Sequence, residues 1–130
     1  MATIALTKDN FEQVVNANGM VLVDFWAPWC GPCKGFAPVF EATSEKHTDI
    51  VFGKVNTDDE QDLAASFNIR SIPTLMFFRE KVILFSQAGA LPGSALEQVI
   101  TQGRELDMAM VHKKIAEREA GAQQASVEGK

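Results

Sequence analysis

Apolar residues recur along this chain at two alternating spacings, and the alternation predicts its elements. Thr3 to Leu6 reads as a short strand, and Thr7 stands where it would cap a helix running to about Ala17. That helix carries Asp9 and Glu12 near its positive end and Phe11, Val14 and Val15 along one face, and Asn18-Gly19 ends it. Met20 to Phe25 is a continuous apolar run interrupted only by Asp24, the pattern of a central strand buried on both faces. A helix from about Gly31 to His47 follows, turning Phe36, Val39 and Phe40 inward; Gly35 weakens it and Pro38 is expected to kink it by removing a backbone bond. Ile50 to Asn56 is the next strand. Asp58, Asp59, Glu60 and Asp62 then open a helix to about Phe67, an acid-rich start that offsets the helix dipole in preference to binding metal. Leu75 to Phe78 and Val82 to Ser86 pair as strands across Arg79-Glu80-Lys81, and Leu96, Val99 and Ile100 mark an amphipathic helix after Pro92-Gly93-Ser94.

Short apolar runs alternating with helical periods imply an α/β domain with helices packed on a largely parallel sheet. Beyond Gly103, Leu106, Met110, Val111 and Ile115 recur at helical spacing among Lys113, Lys114, Glu117 and Arg118, and Gly121 to Lys130 has the composition of a disordered tail. The chain therefore divides into a domain over 1–103, a helical extension over 104–120 and a tail over 121–130. The extension is expected to pack on the domain, the alternative being recruitment of a partner helix.

The 130 residues suffice for one core. No apolar stretch approaches the length of a membrane span, and Met1 to Asp9 has neither a basic region nor a long apolar one, so export is not expected and the cytoplasm follows by default. A net charge of −5 without a basic face argues against nucleic acid as a partner.

The chemistry lies in the only two cysteines, in Trp29-Cys30-Gly31-Pro32-Cys33-Lys34, between the central strand and the following helix. A helix N-terminus offers unpaired N–H groups and partial positive charge, which lower a thiol's pKa below the usual value of about 8.5. Cys30 is the expected exposed nucleophile and Cys33, one turn in, the resolving thiol. The spacing also occurs in zinc sites, but four ligands are required and only His47 and His112, far apart in sequence, are on offer. A purely structural disulfide is the other alternative, although so short a loop constrains the unfolded chain little. For Cys33 to attack it must lose a proton, and Asp24, desolvated among Val21, Val23 and Phe25, is the expected acceptor with a raised pKa; the alternative is a buried carboxylate satisfied by backbone donors.

The stretch Phe25-Trp26-Ala27-Pro28-Trp29-Cys30-Gly31-Pro32-Cys33-Lys34 resembles the active site of the thioredoxin family. Asp24, Lys54-Val55-Asn56, Ser71-Ile72-Pro73-Thr74 and Gly89-Ala90 fall in that family's order, and the likeness spans about residues 3 to 103. The resemblance implies a thioredoxin fold with a central mixed five-stranded sheet flanked by helices on both faces. It assigns a general base to Asp24, a tuning lysine to Lys54, and a cis bond to Ile72-Pro73, whose loop faces the cysteines and pairs with an incoming peptide. Trp29, Gly31, Pro32, Ile72, Pro73, Gly89 and Ala90 would form the substrate-binding lip. It further implies a monomer with no bound cofactor beyond a redox-active Cys30–Cys33 disulfide. Such a protein reduces disulfide-containing client proteins and is regenerated by a thioredoxin reductase, a flavoprotein using NADPH. Oxidising relatives commonly carry histidine where Pro32 stands, so a disulfide oxidant or isomerase is the lesser reading, and a non-enzymatic interaction subunit the third. One departure stands out. The family usually has glycine where Lys81 stands, because a two-residue hairpin turn requires positive φ, so the loop here is expected to be longer or strained.

Overall fold

Strand β2 (Met20–Trp26) lies at the middle of a five-stranded mixed sheet. β3 (Val51–Asn56) pairs with it in parallel and β4 (Thr74–Arg79) antiparallel, while β1 (Thr3–Ala5) and β5 (Val82–Ala88) complete the order β1-β3-β2-β4-β5. The computed structural model describes residues 2–128.

Because side chains alternate across a strand, the sheet carries two separate apolar layers. On one face Leu22, Phe52, Leu75 and Phe77 meet Phe36 and Phe40 of α2 (Gly31–Lys46) and Leu96, Val99 and Ile100 of α4 (Gly93–Glu105). On the other, Val21, Val23, Phe25, Val55, Met76 and Phe78 meet Phe11 and Val15 of α1 (Phe11–Ala17) and Leu63 and Phe67 at α3 (Gln61–Ser66). Helices on both faces and mixed pairing are the fold the resemblance implies, whereas the apolar pattern by itself suggested a largely parallel sheet and β2–β4 and β4–β5 are antiparallel. α2 runs through Pro38 without ending, held by its buried Phe36 and Phe40. Gly103 lets α4 lie close to the sheet, since a Cβ there would fall on the Phe77 ring.

Two helix starts differ from expectation. Thr7 does not cap α1; its hydroxyl accepts from Asp9 N–H and its carbonyl from Phe11 N–H, closing a turn ahead of the helix. Likewise Asp58 and Asp59 sit in a turn before α3, leaving only Asp62 in its first turn. The chain needs that turn to leave β3, and Thr57 fixes it by donating from both N–H and hydroxyl to the Trp26 carbonyl, at 2.8 and 3.1 Å.

The last helix, α5 (Met108–Glu128), continues past residue 120, where composition alone suggested a tail. Its attachment is narrow. Met108 is buried and Val111 and Ile115 half-buried, whereas Leu106 and Met110 are exposed, so only part of the expected apolar stripe turns inward. Arg79 holds the junction: its Nη1 donates to the carbonyls of Gly103, Arg104 and Leu106 at 2.8, 3.2 and 3.0 Å, satisfying acceptors that the end of α4 leaves open. Among the described residues no helix is long and apolar enough to cross a membrane.

The β4–β5 turn is short and strained rather than long. Glu80 and Lys81 both occupy the left-handed region, at φ 51° and 69°, with the Glu80 N–H bonded to the Gly19 carbonyl at 2.8 Å. A non-glycine residue there costs about 1 kcal/mol. Lys81→Gly should therefore raise unfolding stability by about that amount, measured as a higher urea midpoint at unchanged slope; a lower midpoint would show that the turn is not strained at Lys81.

Candidate active site

Strand β2 ends at Trp26, and the turn that follows delivers the chain into α2 with Cys30 at the N-cap. Cys30 has extended dihedrals there, and its own sulfur accepts the Cys33 N–H at 3.2 Å, taking the place a serine or aspartate oxygen would fill. Pro32 falls in the first helical turn, where its missing N–H leaves no bond unmade. The two cysteines form a disulfide, with Cα atoms 5.2 Å apart. A thiolate at Cys30 would sit on the same donor and at the positive end of the helix dipole, which favours the charged form.

The expected contrast in exposure between the thiols is absent: Cys30 is 4% exposed and Cys33 3%. The physical reason is that Ala27, Trp26 and Ile72 pack around the bonded pair. What distinguishes Cys30 is its neighbours. Trp29, Gly31 and Pro32 beside it are exposed, and its sulfur lies 3.7 Å from the Ile72 carbonyl, so a chain pairing with the Ile72 backbone arrives at that sulfur.

The loop carrying Ile72 is fixed from both ends. The Ile72-Pro73 bond is cis, Pro73 is buried, and the Thr74 hydroxyl donates to the Ser71 carbonyl at 2.6 Å. Gly89 donates its N–H to the Pro73 carbonyl at 2.7 Å with φ 107°, a conformation that favours glycine whatever crosses above it. Ala90 follows, exposed. The structure thus brings Trp29, Ile72, Pro73 and Gly89 together around the disulfide.

Beneath the site, Asp24 is fully buried, and neither carboxylate oxygen has a hydrogen-bond partner. It shares the sheet face of Leu22 and the α2 layer, with Lys54 and Leu75 opposite it on the flanking strands. Burial pushes its pKa from 3.8 up to about 7, against the opposing pull of Lys54. The Lys54 ammonium lies 4.8 Å from the centre of the Trp26 ring, a cation–π contact that holds it on this face.

Asp58 is a site residue that sequence reading missed. The Trp29 indole N–H donates to its carboxylate, 3.0 Å to Oδ2 and 3.2 Å to Oδ1, which tethers a side chain that is 69% exposed. Within a run of four acids nothing marked this one out. The two histidines are engaged elsewhere: His47 lies between Glu97 and Arg104, and His112 meets Glu80.

Comparison with known proteins is consistent with this geometry. A family model described as Thioredoxin matches residues 2–102. The putative thioredoxin 2 of Streptomyces coelicolor is 55% identical over 121 residues, covering 93% of this chain and 90% of that one, a match long enough to enter α5. The thioredoxin of Porphyra purpurea is 44% identical over 104 residues, covering 78% and 97%. Among solved structures, Plasmodium falciparum thioredoxin aligns with a TM-score of 0.71 at 36% identity, over 77% of this chain and 97% of that one. A mutant thioredoxin from Halobacterium salinarum aligns at 0.74 and 32%, over 81% and 92%.

Two predictions follow from the burial of Asp24 and the tether on Trp29. A carboxyl that ionises near 3.8 unfolded and about 7 folded stabilises the fold fully below about pH 4, loses that contribution as pH rises to about 7, and levels off above; the gap corresponds to roughly 4 kcal/mol. Asp24→Asn, neutral throughout, should therefore gain on the parent by a few kcal/mol between pH 4 and pH 8 in urea titrations of the oxidised protein. A constant difference would contradict the raised pKa. Asp58→Ala should free the indole, seen as faster decay of Trp29 fluorescence anisotropy with Trp26 replaced by Phe in both proteins, at a cost in stability below about 1 kcal/mol.

Proposed function

The chain belongs to the thioredoxin family and is a dithiol–disulfide oxidoreductase, and from that premise we propose that it is a general reductant of protein disulfides. It acts as a monomer in the cytoplasm, and the chemistry resides in residues 1–103, with α5 beyond them an accessory helix. The observation that carries the direction of electron flow is Pro32. No cation stands between the cysteines to stabilise the reduced thiolate further, so the dithiol gives up its electrons readily.

In the first step the Cys30 thiolate attacks one sulfur of a client disulfide held against Trp29, Ile72, Pro73 and the Gly89-Ala90 turn. The client's other sulfur leaves as thiolate, and a mixed disulfide joins Cys30 to the client. Cys33 then passes its proton to Asp24 and attacks the Cys30 sulfur, releasing the second client thiolate and closing the Cys30–Cys33 disulfide. Two electrons have passed to the client. An Asp24 that titrates near neutrality can accept that proton and return it, with Lys54 as the charge that tunes it. An NADPH-dependent flavoprotein, a thioredoxin reductase, restores the dithiol.

Cys30→Ser should abolish reduction of protein disulfides, whereas Cys33→Ser should accumulate clients as mixed disulfides on Cys30; full turnover by Cys33→Ser would sink the two-step scheme. The reduction potential of the pair, equilibrated against dithiothreitol and glutathione and read from tryptophan fluorescence, should lie well below that of the glutathione pool. A potential above the pool would make the protein an oxidant or isomerase.

A further inference from the structure

A groove of about 200 Å³ opens beside the disulfide, lined by Trp29, Thr57, Ala64, Ile69, Arg70 and Ile72 along with Ser71. Arg70 is the only charged residue in that lining. It stands two residues before Ile72, whose carbonyl lies 3.7 Å from the Cys30 sulfur, a backbone separation of at most about 7 Å. A client segment that pairs with the Ile72 backbone and reaches Cys30 therefore passes within reach of this side chain.

Among the described residues the guanidinium also has no charged partner. Arg79 spends its donors on three main-chain carbonyls, and Arg104 on both oxygens of Asp49. Arg70 is exposed and its Nε donates at 3.3 Å to the neutral side-chain oxygen of Asn68; among the described residues no carboxylate pairs with it. The acid on this side of the site, Asp58, is turned to the Trp29 indole and does not line the groove. Lys34, the other cation near the cysteines, is likewise outside it. The groove is thus neutral and largely apolar apart from one forked cation, a geometry matched to carboxylates.

We infer that Arg70 is a specificity-determining residue, favouring client segments that carry aspartate or glutamate within three residues of the cysteine that Cys30 attacks. The inference rests on the reductase reading above and adds a substrate preference to it. Charge at a rim of this kind acts on encounter and register, so it should appear in the second-order rate constant and fade with salt.

The test uses the full-length reduced protein and two series of disulfide peptides, neutral except for a single Asp or Lys placed in turn at each of three positions before and after the cysteine. At one or more positions the Asp peptide should be reduced about three- to fivefold faster than the Lys peptide, the size of effect one exposed ion pair supports. That ratio should approach one in Arg70→Gln, invert in Arg70→Glu, and shrink in high salt. Ratios that neither substitution changes at any position would overturn the inference. Uncharged hydroxyethyl disulfide separates the two layers of argument. Equal rates on it for the parent and both variants show that Arg70 reads charge and leaves the thiol chemistry alone, whereas failure of the parent to reduce it would overturn the reductase reading and this inference with it.

Discussion

The rest of this structure depends on the burial of one strand from both sides. Val21, Leu22, Val23, Asp24 and Phe25 are all inaccessible to solvent, because α1 and α3 cover one face of β2 and α2 and α4 the other. Such a strand must be nearly continuous in apolar residues, and it must sit at the centre of the sheet, where β3 and β4 satisfy its backbone. Two consequences reach the chemistry. The end of β2 aims the chain into the turn that sets Cys30 at the N-cap of α2, and any ionisable group within β2 loses its water. Asp24 is that group. Its raised pKa follows from the same packing that holds the fold together, and under the proposed mechanism that packing also sets the proton transfer.

Around the disulfide, the polar groups on offer to a client are largely backbone. The Ile72 carbonyl beside the Cys30 sulfur, the Cys33 N–H bonded to it and the Gly89 N–H on Pro73 belong to the main chain, and the side chains that join them are apolar. On the proposed function such a site would suit many partners, since every polypeptide offers the same backbone groups. Charge stands at its margins, in Asp58, which holds Trp29, in Lys34 after the second cysteine, and in Arg70 of the neighbouring groove.

The C-terminal helix attaches at the other end of β4 from the cysteines. β4 starts at Thr74, directly after the cis proline, and ends at Arg79, roughly 17 Å away along an extended chain, where the arginine caps α4 and the turn follows. Glu80, held at positive φ in that turn, lies 3.1 Å from His112 of α5. The residue pair that departs from the usual hairpin chemistry is therefore also where the extension touches the domain. Both side chains of that contact are half exposed, which makes it a weak clasp.

Much of this was legible in sequence because it depends on local rules. The apolar run with a single acid marked β2 and predicted the desolvation of Asp24; the cysteine pair ahead of an amphipathic stretch placed Cys30 at a helix N-terminus; and Lys81, where the resembled family has glycine, announced a turn either longer or strained, of which the second holds. Contacts between distant segments stayed hidden. No local pattern distinguishes Asp58 from the acids beside it, since its role is defined by Trp29, twenty-nine residues away in the chain. Nor does anything near Arg79 show that it will close the end of α4. The exposure of Cys30 was misjudged for the same reason: periodicity around a residue says which side faces the helix's own neighbours, but Ile72 covers the disulfide from a loop forty-two residues on. Sequence determined which residues are apolar, which turns are possible and where the thiols stand on the helix. Only the tertiary structure decided which polar groups end up without a partner and which find one, because those outcomes depend on what the folded chain brings alongside.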